Sequence, residues 1–404
     1  MNTQYVHGDC LFTRINKNIK QYEYLTEDIA TDVIIIGGGV TGAILGYYFS
    51  KSNVDCVILE KSRIAHGSTS ITTSLLEYEL DSNALDLMSY TSKENIIKSY
   101  KLGVKALDEI QEFIAKYGNK CDYKKVDSLL YTSKKIENKV IEEEYYLRKE
   151  SGLPVEFIDE ANNPFSFDLK AGVLGKGGGS VIDPYKYTHQ LIEESSRMGL
   201  KVYENTEVID IKYYNDDVTV EAVYGYKVKG KIIIVATGYN TSFFTSRAFG
   251  TKTTAFNIAT KPIDNLDDIY KNIVIKDNKV PYNYFRATSD NRLIIGGEDI
   301  NFIPDIYNEE LCNKSYEKLE QRLKSLFPHL NIEIEYRYCG AFASTQDNLG
   351  FIGKDPDNSK LWYCLGYGAN GILFAILGGM MLTKLYSGKV DEDMKLFKVD
   401  RFDN

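Results

Sequence analysis

The sequence contains few of the residues from which many catalytic and metal sites are built. Among 404 residues there are four histidines and six cysteines. The cysteines are scattered, without a Cys-x-x-Cys pair and without a histidine cluster nearby. This distribution argues against a disulfide framework and a zinc site, and it is typical of reduced thiols in a cytosolic protein. With so few histidines, a histidine base is not favoured.

An excess of positive charge and a long apolar run are also missing. The net charge is −9 at pH 7, which argues against a nucleic-acid-binding protein because no basic face dominates. The most apolar late segment, 371–385, is shorter than the roughly 20 residues that span a bilayer. The first residues lack the basic start and apolar run of a secretory signal. We therefore expect a cytoplasmic protein with no membrane span and no nucleic-acid partner.

The most informative motif lies at 32–60. An apolar, buried-looking strand leads into Gly37, Gly39 and Gly42, which have the spacing Gly-x-Gly-x-x-Gly. The first glycine permits a tight turn, the second lets the backbone approach a pyrophosphate, and the third lets the next helix pack on the sheet. Glu60 ends the second strand, where an acid accepts hydrogen bonds from a ribose diol. The motif predicts a dinucleotide site and, taken alone, fits NAD as well as FAD.

The rest of the chain predicts further strands and helices. The apolar run 232–236 is typical of a central parallel strand that is buried on both faces. Helical spacing covers 92–118, and the β-branched and aromatic residues of 252–300 indicate strands. The three glycines at 177–179 indicate a loop.

Elements that suit nucleotide binding occur at 32–75, at about 180–240 and again beyond 340. This interleaving implies a cofactor domain into which a second domain is inserted. The prediction is an irregular lead-in at 1–30, a discontinuous cofactor domain at 31–95, 176–245 and 336–404, and a substrate domain at 96–175 and 246–335.

Four segments, in order, resemble the D-amino-acid oxidase-like superfamily of FAD-dependent oxidoreductases, which includes glycine oxidase, sarcosine oxidase and glycerol-3-phosphate dehydrogenase. They are the glycine motif with the small-residue loop 61–74, 205–208 with 234–240, 284–286 with 292–297, and 339–353 with 365–372. The resemblance extends from about residue 25 over nearly the whole chain. It implies an α/β fold, in which a Rossmann-like FAD-binding domain with a mixed sheet carries an inserted α+β substrate domain with an antiparallel sheet.

The resemblance also implies FAD as the cofactor, and we expect it to be held without a covalent bond. Cys339 lies one residue from a flavin attachment site of some sarcosine oxidases and His66 precedes the loop, but neither is favoured as a covalent link. The cofactor contacts that the resemblance implies come from Gly37, Gly39, Val40, Thr41, Gly42, Glu60, Lys61, Gly67, Ser68, Thr69, Thr72, Thr73, Ser74, Val208, Thr237, Gly238, Gly340, Gly368, Asn370, Gly371 and Ile372.

The candidates for the substrate pocket are Arg286, Tyr284 and Tyr367. A guanidinium binds a carboxylate or phosphate bidentately, so Arg286 is the best candidate for the anchor, with an interdomain salt bridge as the alternative. Tyr367 stands where many family members carry a histidine beside the flavin, although packing explains it equally well. Amino-acid oxidases of the family often have a second arginine shortly before the Thr-x-Asp motif, but here 340–344 offer no cation. This departure favours an amine or an N-substituted amino acid over a simple α-amino acid.

The resemblance therefore predicts oxidation of a C–N bond by hydride transfer to flavin N5, with a small amine or amino acid as substrate. The electron acceptor, oxygen or a redox partner, is left open. The alternatives are an FAD-dependent dehydrogenase of a hydroxyl substrate such as glycerol 3-phosphate, and a non-catalytic flavoprotein subunit.

Overall fold

The computed structural model describes residues 5–17, 20–302 and 309–403. Its strands are β1 (Val6–Gly8), β2 (Ile29–Ala30), β3 (Val33–Ile36), β4 (Cys56–Leu59), β5 (Leu75–Glu77), β6 (Lys124–Thr132), β7 (Val155–Asp159), β8 (Ala171–Val181), β9 (Lys201–Tyr203), β10 (Val208–Tyr213), β11 (Val218–Ala222), β12 (Lys227–Gly230), β13 (Ile232–Val235), β14 (Thr251–Thr260), β15 (Ile273–Asp277), β16 (Tyr284–Ala287), β17 (Leu293–Asn301), β18 (Ile334–Ser344), β19 (Phe351–Lys354) and β20 (Leu361–Leu365).

The α-helices are α1 (Leu11–Ile15), α2 (Val40–Lys51), α3 (Ala84–Leu87), α4 (Lys93–Tyr117), α5 (Asn138–Glu150), α6 (Pro184–Ser196), α7 (Asp268–Lys271), α8 (Glu309–Leu326) and α9 (Gly371–Tyr386). Short 3₁₀ turns lie at Ser68–Ser70, Lys135–Glu137 and Glu392–Phe397.

A six-stranded, mostly parallel sheet carries the glycine motif. Its order is β19-β20-β13-β3-β4-β9, and β19 is its antiparallel edge strand. The strands β3, β4 and β13 are buried along their whole length, as expected for consecutive apolar residues that are covered on both faces. One face packs against α2, α6 and α9, and the other against a four-stranded sheet of order β10-β11-β12-β2.

A second large sheet has ten strands, in the order β1-β18-β14-β17-β16-β15-β6-β8-β5 with β7 beside β8. Most of its pairs are antiparallel, while β15 and β6 run parallel. Helix α8 covers one face through a cluster that includes Leu319, Leu323 and Phe327. This sheet forms the wall opposite the glycine motif.

These observations confirm the predicted fold class and most of the predicted elements. The apolar run at 232–236 forms β13 between β3 and β20, and the pattern at 92–118 forms α4. The assignment of chain segments to two domains stays a prediction, although β8 and β18 each run across one of the predicted boundaries.

Two local predictions are wrong. The three glycines at 177–179 lie within β8, not in a loop, because they make room for neighbours. An added Cβ would lie 2.7 Å from Ser128 Oγ at Gly178 and 2.8 Å from Val274 Cγ2 at Gly179. The stretch 1–30 is not irregular throughout, since its described part contains β1, α1 and β2, and β1 pairs with β18.

Candidate active site

A cavity of about 390 Å³ lies between the glycine turn of the parallel sheet and the ten-stranded sheet. The first and the last of the cofactor motifs both reach this cavity, because Gly37 and Gly371 line it. These two glycines are more than 300 residues apart in the sequence. The predicted cofactor residues that line the cavity are Gly37, Gly39, Val40, Thr41, Glu60, Lys61, Gly67, Ser68, Thr69, Thr72, Thr73, Val208, Thr237, Gly238, Gly368, Gly371 and Ile372.

The glycine turn is closed tightly over the end of β3. Gly37 has φ +111° and donates its N–H to Leu59 O at 2.9 Å. A Cβ added to Gly42 would lie 1.9 Å from Gly37 O, so α2 approaches the turn as closely as only glycine permits. Helix α2 begins at Val40, and its positive N-terminal end faces the cavity, as a phosphate-bearing cofactor requires.

Glu60 is fixed at the end of β4. Its two carboxylate oxygens accept hydrogen bonds from the backbone N–H of Gly38, at 2.7 Å, and of Ser62, at 2.9 Å. Burial raises the pKa of Glu60, and these two hydrogen bonds oppose the increase. The carboxylate thus lies in the cavity wall in a fixed orientation, where a ribose diol would meet it.

Unpartnered polar atoms lie beside the cavity at the other end. Ser74 Oγ and Asn370 Oδ1 are buried without a hydrogen-bond partner, a costly arrangement unless a ligand supplies one. Helix α9 begins at Gly371, next to Asn370, and presents a second helix N-terminus to the cavity. Two helix starts, a glycine cradle and buried acceptors fit an extended dinucleotide such as FAD.

Four predicted cofactor residues support the wall from behind instead of lining it. They are Gly42, Ser74, Gly340 and Asn370. At Gly340 a Cβ would meet Tyr5 O and Ile71 Cδ1, both at 2.4 Å, so this glycine lets the residue before β1 and the loop 61–74 pack together. Cys339 and His66 do not line the cavity either, which agrees with a non-covalent cofactor.

Arg286 does not fit the predicted role of substrate anchor. It is 3% exposed and lies outside the residues that line the cavity. Its guanidinium donates to the backbone oxygens of Thr73, Ala287 and Ile182, and lies over the ring of Phe12. Burial lowers its pKa to about 10. These contacts tie three chain segments together, and each of the three guanidinium nitrogens donates to a backbone oxygen.

The two predicted tyrosines are placed differently. Tyr284 lines the cavity, and its ring lies over Gly296 of the neighbouring strand, where an added Cβ would be 2.5 Å from Tyr284 Cε2. Tyr367 is fully buried and packs among Tyr239, Phe249 and Phe351, with its hydroxyl 3.4 Å from Gly238 O. Tyr367 therefore belongs to the core.

The ten-stranded sheet adds wall residues that the sequence analysis did not identify. Tyr282 and Tyr284 have ring centroids 5.6 Å apart, and further aromatic residues surround the same space. Asn257 donates its Nδ2 to Ile71 O at 3.1 Å, which leaves Oδ1 buried without a partner. Of the aromatic wall residues that were not predicted, Tyr5, Tyr282 and Phe342 lie in this sheet or directly beside its strands, whereas Tyr239, Phe243 and Phe244 follow β13 of the parallel sheet.

A buried ion pair also lines the cavity. Lys276 Nζ lies 2.7 Å from Glu77 Oε1 and 2.8 Å from Leu80 O, and both side chains are at most 3% exposed. Burial raises the pKa of Glu77, while Lys276 opposes that increase. Burial alone would lower the pKa of Lys276, but Glu77 and neighbouring acids hold it above its ordinary value. Lys276 is thus a neutralised cation, not a free anion site.

Charged residues continue behind this pair. Arg148 lies 2.7 Å from Glu144 Oε1 and also bonds Glu79 Oε1. A charged residue within an apolar strand is the signal that could have found this network: Glu77 and Glu79 interrupt one strand pattern, and Lys276 interrupts another.

The described residues offer neither a membrane helix nor a metal site. Among them, no helix is both long and apolar enough to cross a bilayer. Within the same ranges, no three His, Cys, Asp or Glu side chains are grouped to hold a metal ion.

Comparison with known proteins places this geometry in a family. The model of the DAO family, described as FAD dependent oxidoreductase, matches residues 32–385. The chain is 24% identical to gamma-glutamylputrescine oxidoreductase of Escherichia coli, over 92% of this chain and 87% of that protein. It is 21% identical to glycine oxidase of Bacillus subtilis, over 92% of this chain and 97% of the relative.

A solved structure has the same fold. The crystal structure of glycine oxidase from Geobacillus kaustophilus superposes with a TM-score of 0.76 at 20% identity, covering 92% of this chain and 99% of that one. The family match over most of the chain and the cavity between two sheets lead to the same conclusion. The chain belongs to the DAO family of FAD-dependent oxidoreductases, and its cofactor is FAD.

Proposed function

We propose that this enzyme oxidises the C–N bond of a small amine or N-substituted amino acid, by hydride transfer to flavin N5. The observation that carries the proposal is that the two buried cations nearest the ten-stranded side of the cavity already have protein partners. Arg286 is buried outside the cavity lining and donates to three backbone oxygens, and Lys276 is paired with Glu77. Because a phosphate or a carboxylate is best anchored by a free cation, this arrangement supports an amine more strongly than either a glycerol phosphate or an amino acid.

In this proposal, different residues of the chain hold the cofactor, orient the substrate and accept a proton. FAD, when bound, would supply the two-electron acceptor for the hydride. The turn at Gly37 and the starts of α2 and α9 hold the cofactor, while Asn257 and Tyr284 orient the substrate beside it. A protonated amine must lose its proton before oxidation. Glu77 lies in the wall with a raised pKa, and its carboxylate is the group we assign to hold that proton.

The test is an anaerobic titration of the FAD-reconstituted protein, followed by the loss of flavin absorbance. Primary and N-methyl amines, N-methyl amino acids, polyols and glycerol 3-phosphate form the panel. We expect bleaching by amines or N-substituted amino acids and none by polyols. Bleaching by glycerol 3-phosphate alone would establish the hydroxyl dehydrogenase instead. Bleaching by dithionite but by no member of the panel would favour a non-catalytic flavoprotein.

A further inference from the structure

The part of the cavity wall formed by the ten-stranded sheet presents aromatic faces and hydrogen-bond acceptors. Tyr282, Tyr284 and Phe342 supply the faces, and Tyr239, which follows β13 of the parallel sheet, adds a fourth aromatic ring to the cavity lining. Asn257, 3% exposed, supplies a buried acceptor oxygen that has no partner within the described structure. Aromatic faces attract cations through their quadrupoles, and an unpartnered buried acceptor gains most from an N–H donor.

Carboxylates lie directly behind these aromatic residues. Asp81 accepts a hydrogen bond from Tyr282 Oη at 3.2 Å and from the backbone N–H of Ala369 at 3.0 Å, and both of these residues line the cavity. Asp299 accepts a hydrogen bond from Thr253 Oγ1 at 3.1 Å. Burial raises the pKa of both acids. Lys276 opposes the increase at Asp81, whereas Asp81 and Glu298 add to the increase at Asp299.

The balance of buried charge in this region is negative. In the network behind the wall, the four carboxylates of Glu77, Glu79, Asp81 and Glu144 share two cations, Lys276 and Arg148. Lys61 and Arg63 also line the cavity, but they follow β4 at the Glu60 end. A ligand beside Tyr284 therefore meets an excess of negative charge.

We infer that the substrate enters this wall as an ammonium cation and carries no carboxylate close to its reacting nitrogen, so that the enzyme is an oxidase or dehydrogenase of cationic amines. Tyr282, Tyr284 and Asn257 contact the cation, and Asp81 and Asp299 supply the long-range attraction. The inference rests on the proposed function and narrows it, because it excludes amino acids whose carboxylate lies next to the amine.

Lys252, a cation that does not line the cavity, is the basis of a competing interpretation, in which the pocket binds an anion. Lys252 Nζ lies 5.5 Å from the ring centre of Tyr5, which lines the cavity, and burial lowers the pKa of Lys252. If Lys252 were an anion anchor, carboxylate ligands would bind near Tyr5. The experiment therefore compares ligands of matched shape and opposite charge.

The test is equilibrium binding to the FAD-reconstituted protein, read from the perturbation of the flavin spectrum and from equilibrium dialysis at constant ionic strength. The probes are benzyltrimethylammonium, which has no N–H to lose, phenylacetate, and neutral phenylacetamide. We expect the ammonium to bind at least about tenfold more tightly than phenylacetate, a difference of about 1.4 kcal/mol. Equal or tighter binding of phenylacetate would overturn the inference.

Variants distinguish the effect of losing a negative charge from the effect of losing folded structure. Asp299→Asn and Asp81→Asn should each weaken ammonium binding about tenfold and leave phenylacetate binding unchanged or stronger, which a mere loss of structure would not do. The matched control is Asp264→Asn, an exposed acid remote from the cavity wall. Loss of phenylacetate binding in Lys252→Gln, with ammonium binding absent in the parent protein, would establish the anion anchor instead.

The two proposals fail in different ways. If N-substituted amino acids bleach the flavin and phenylacetate binds better than the ammonium, the proposed C–N oxidation stands and the cation inference is wrong. If the ammonium binds as expected but no amine bleaches the flavin, the pocket chemistry stands and the proposed reaction is wrong.

Discussion

At the scale of single residues, the pair of Lys276 and Glu77 is expected to be sensitive to the loss of one partner. Both side chains are buried and 2.7 Å apart, so removing one leaves an uncompensated charge. Lys276→Met should lower the free energy of unfolding by about 3–5 kcal/mol, and the double variant Glu77→Leu/Lys276→Met should recover most of that loss. Urea unfolding of the two variants and the parent measures both values. If Lys276→Met lowers the free energy of unfolding by less than about 1 kcal/mol, the assignment of a buried ion pair is contradicted.

Asp299 should make the protein less stable above pH 6. Burial, with added repulsion from Asp81 and Glu298, raises its pKa from 3.8 to about 6, while Thr253 opposes the shift. The native state then binds a proton more tightly than the unfolded chain, so stability decreases as the pH rises from 4 to 6 and stays lower above that window.

Replacing the carboxyl of Asp299 by an amide tests whether its ionisation lowers the stability of the protein. Asp299→Asn should raise the free energy of unfolding by about 1–3 kcal/mol at pH 7.5, and the gain should vanish near pH 4, where the parent side chain is protonated. Urea unfolding at both pH values provides the measurement. A gain that is independent of pH would point to packing instead of ionisation. The same carboxylate that lowers stability would then be the one that attracts a cationic ligand.

At the scale of elements, the contact between α2 and the turn before it controls cofactor binding. Gly42→Ala would place a Cβ 1.9 Å from Gly37 O, and α2 would have to move away from β3. We expect FAD to bind at least about tenfold more weakly and the protein to lose roughly 1–3 kcal/mol of stability. Quenching of FAD fluorescence measures the first value. Lys51→Ala, at the exposed end of the same helix, should bind FAD normally.

The sequence allowed the elements of the cofactor side to be predicted, because their signals are local. The spacing from Gly37 to Gly42 and the buried runs of β3 and β13 are fixed by backbone geometry within a few residues. Arg286 was misjudged because its partners, Thr73 and Ile182, lie more than 100 residues away in the sequence. A guanidinium that binds backbone oxygens has the same sequence signature as one that binds a ligand.

The wall residues were missed for a related reason. Asn257, Lys276 and Tyr282 come from separate strands or loops of the ten-stranded sheet and its surroundings, and none of them belongs to a recognisable sequence motif. Only the register of the sheet brings them to one face. The isolated charges of β5 and β15 were nevertheless visible, and a charge inside a strand that must be buried predicts a partner.

At the scale of the whole molecule, FAD should stabilise both sheets together, since the cavity is lined by each of them. A ligand that binds only the native state at 100 times its Kd adds about 2.7 kcal/mol, or roughly 3–5 °C in Tm for a chain of this size. Thermal unfolding with and without added FAD tests this. Two separate transitions, of which only one responds to FAD, would contradict the coupling.

The position of β13 between β3 and β20 has a consequence for biosynthesis. The parallel sheet needs β20, which the ribosome makes more than 300 residues after β3. The cavity needs Tyr5 beside β1 and Ile372 in α9. Neither the sheet nor its cavity can be complete on a nascent chain until translation has passed α9. FAD therefore cannot find its complete site until α9 has been synthesised.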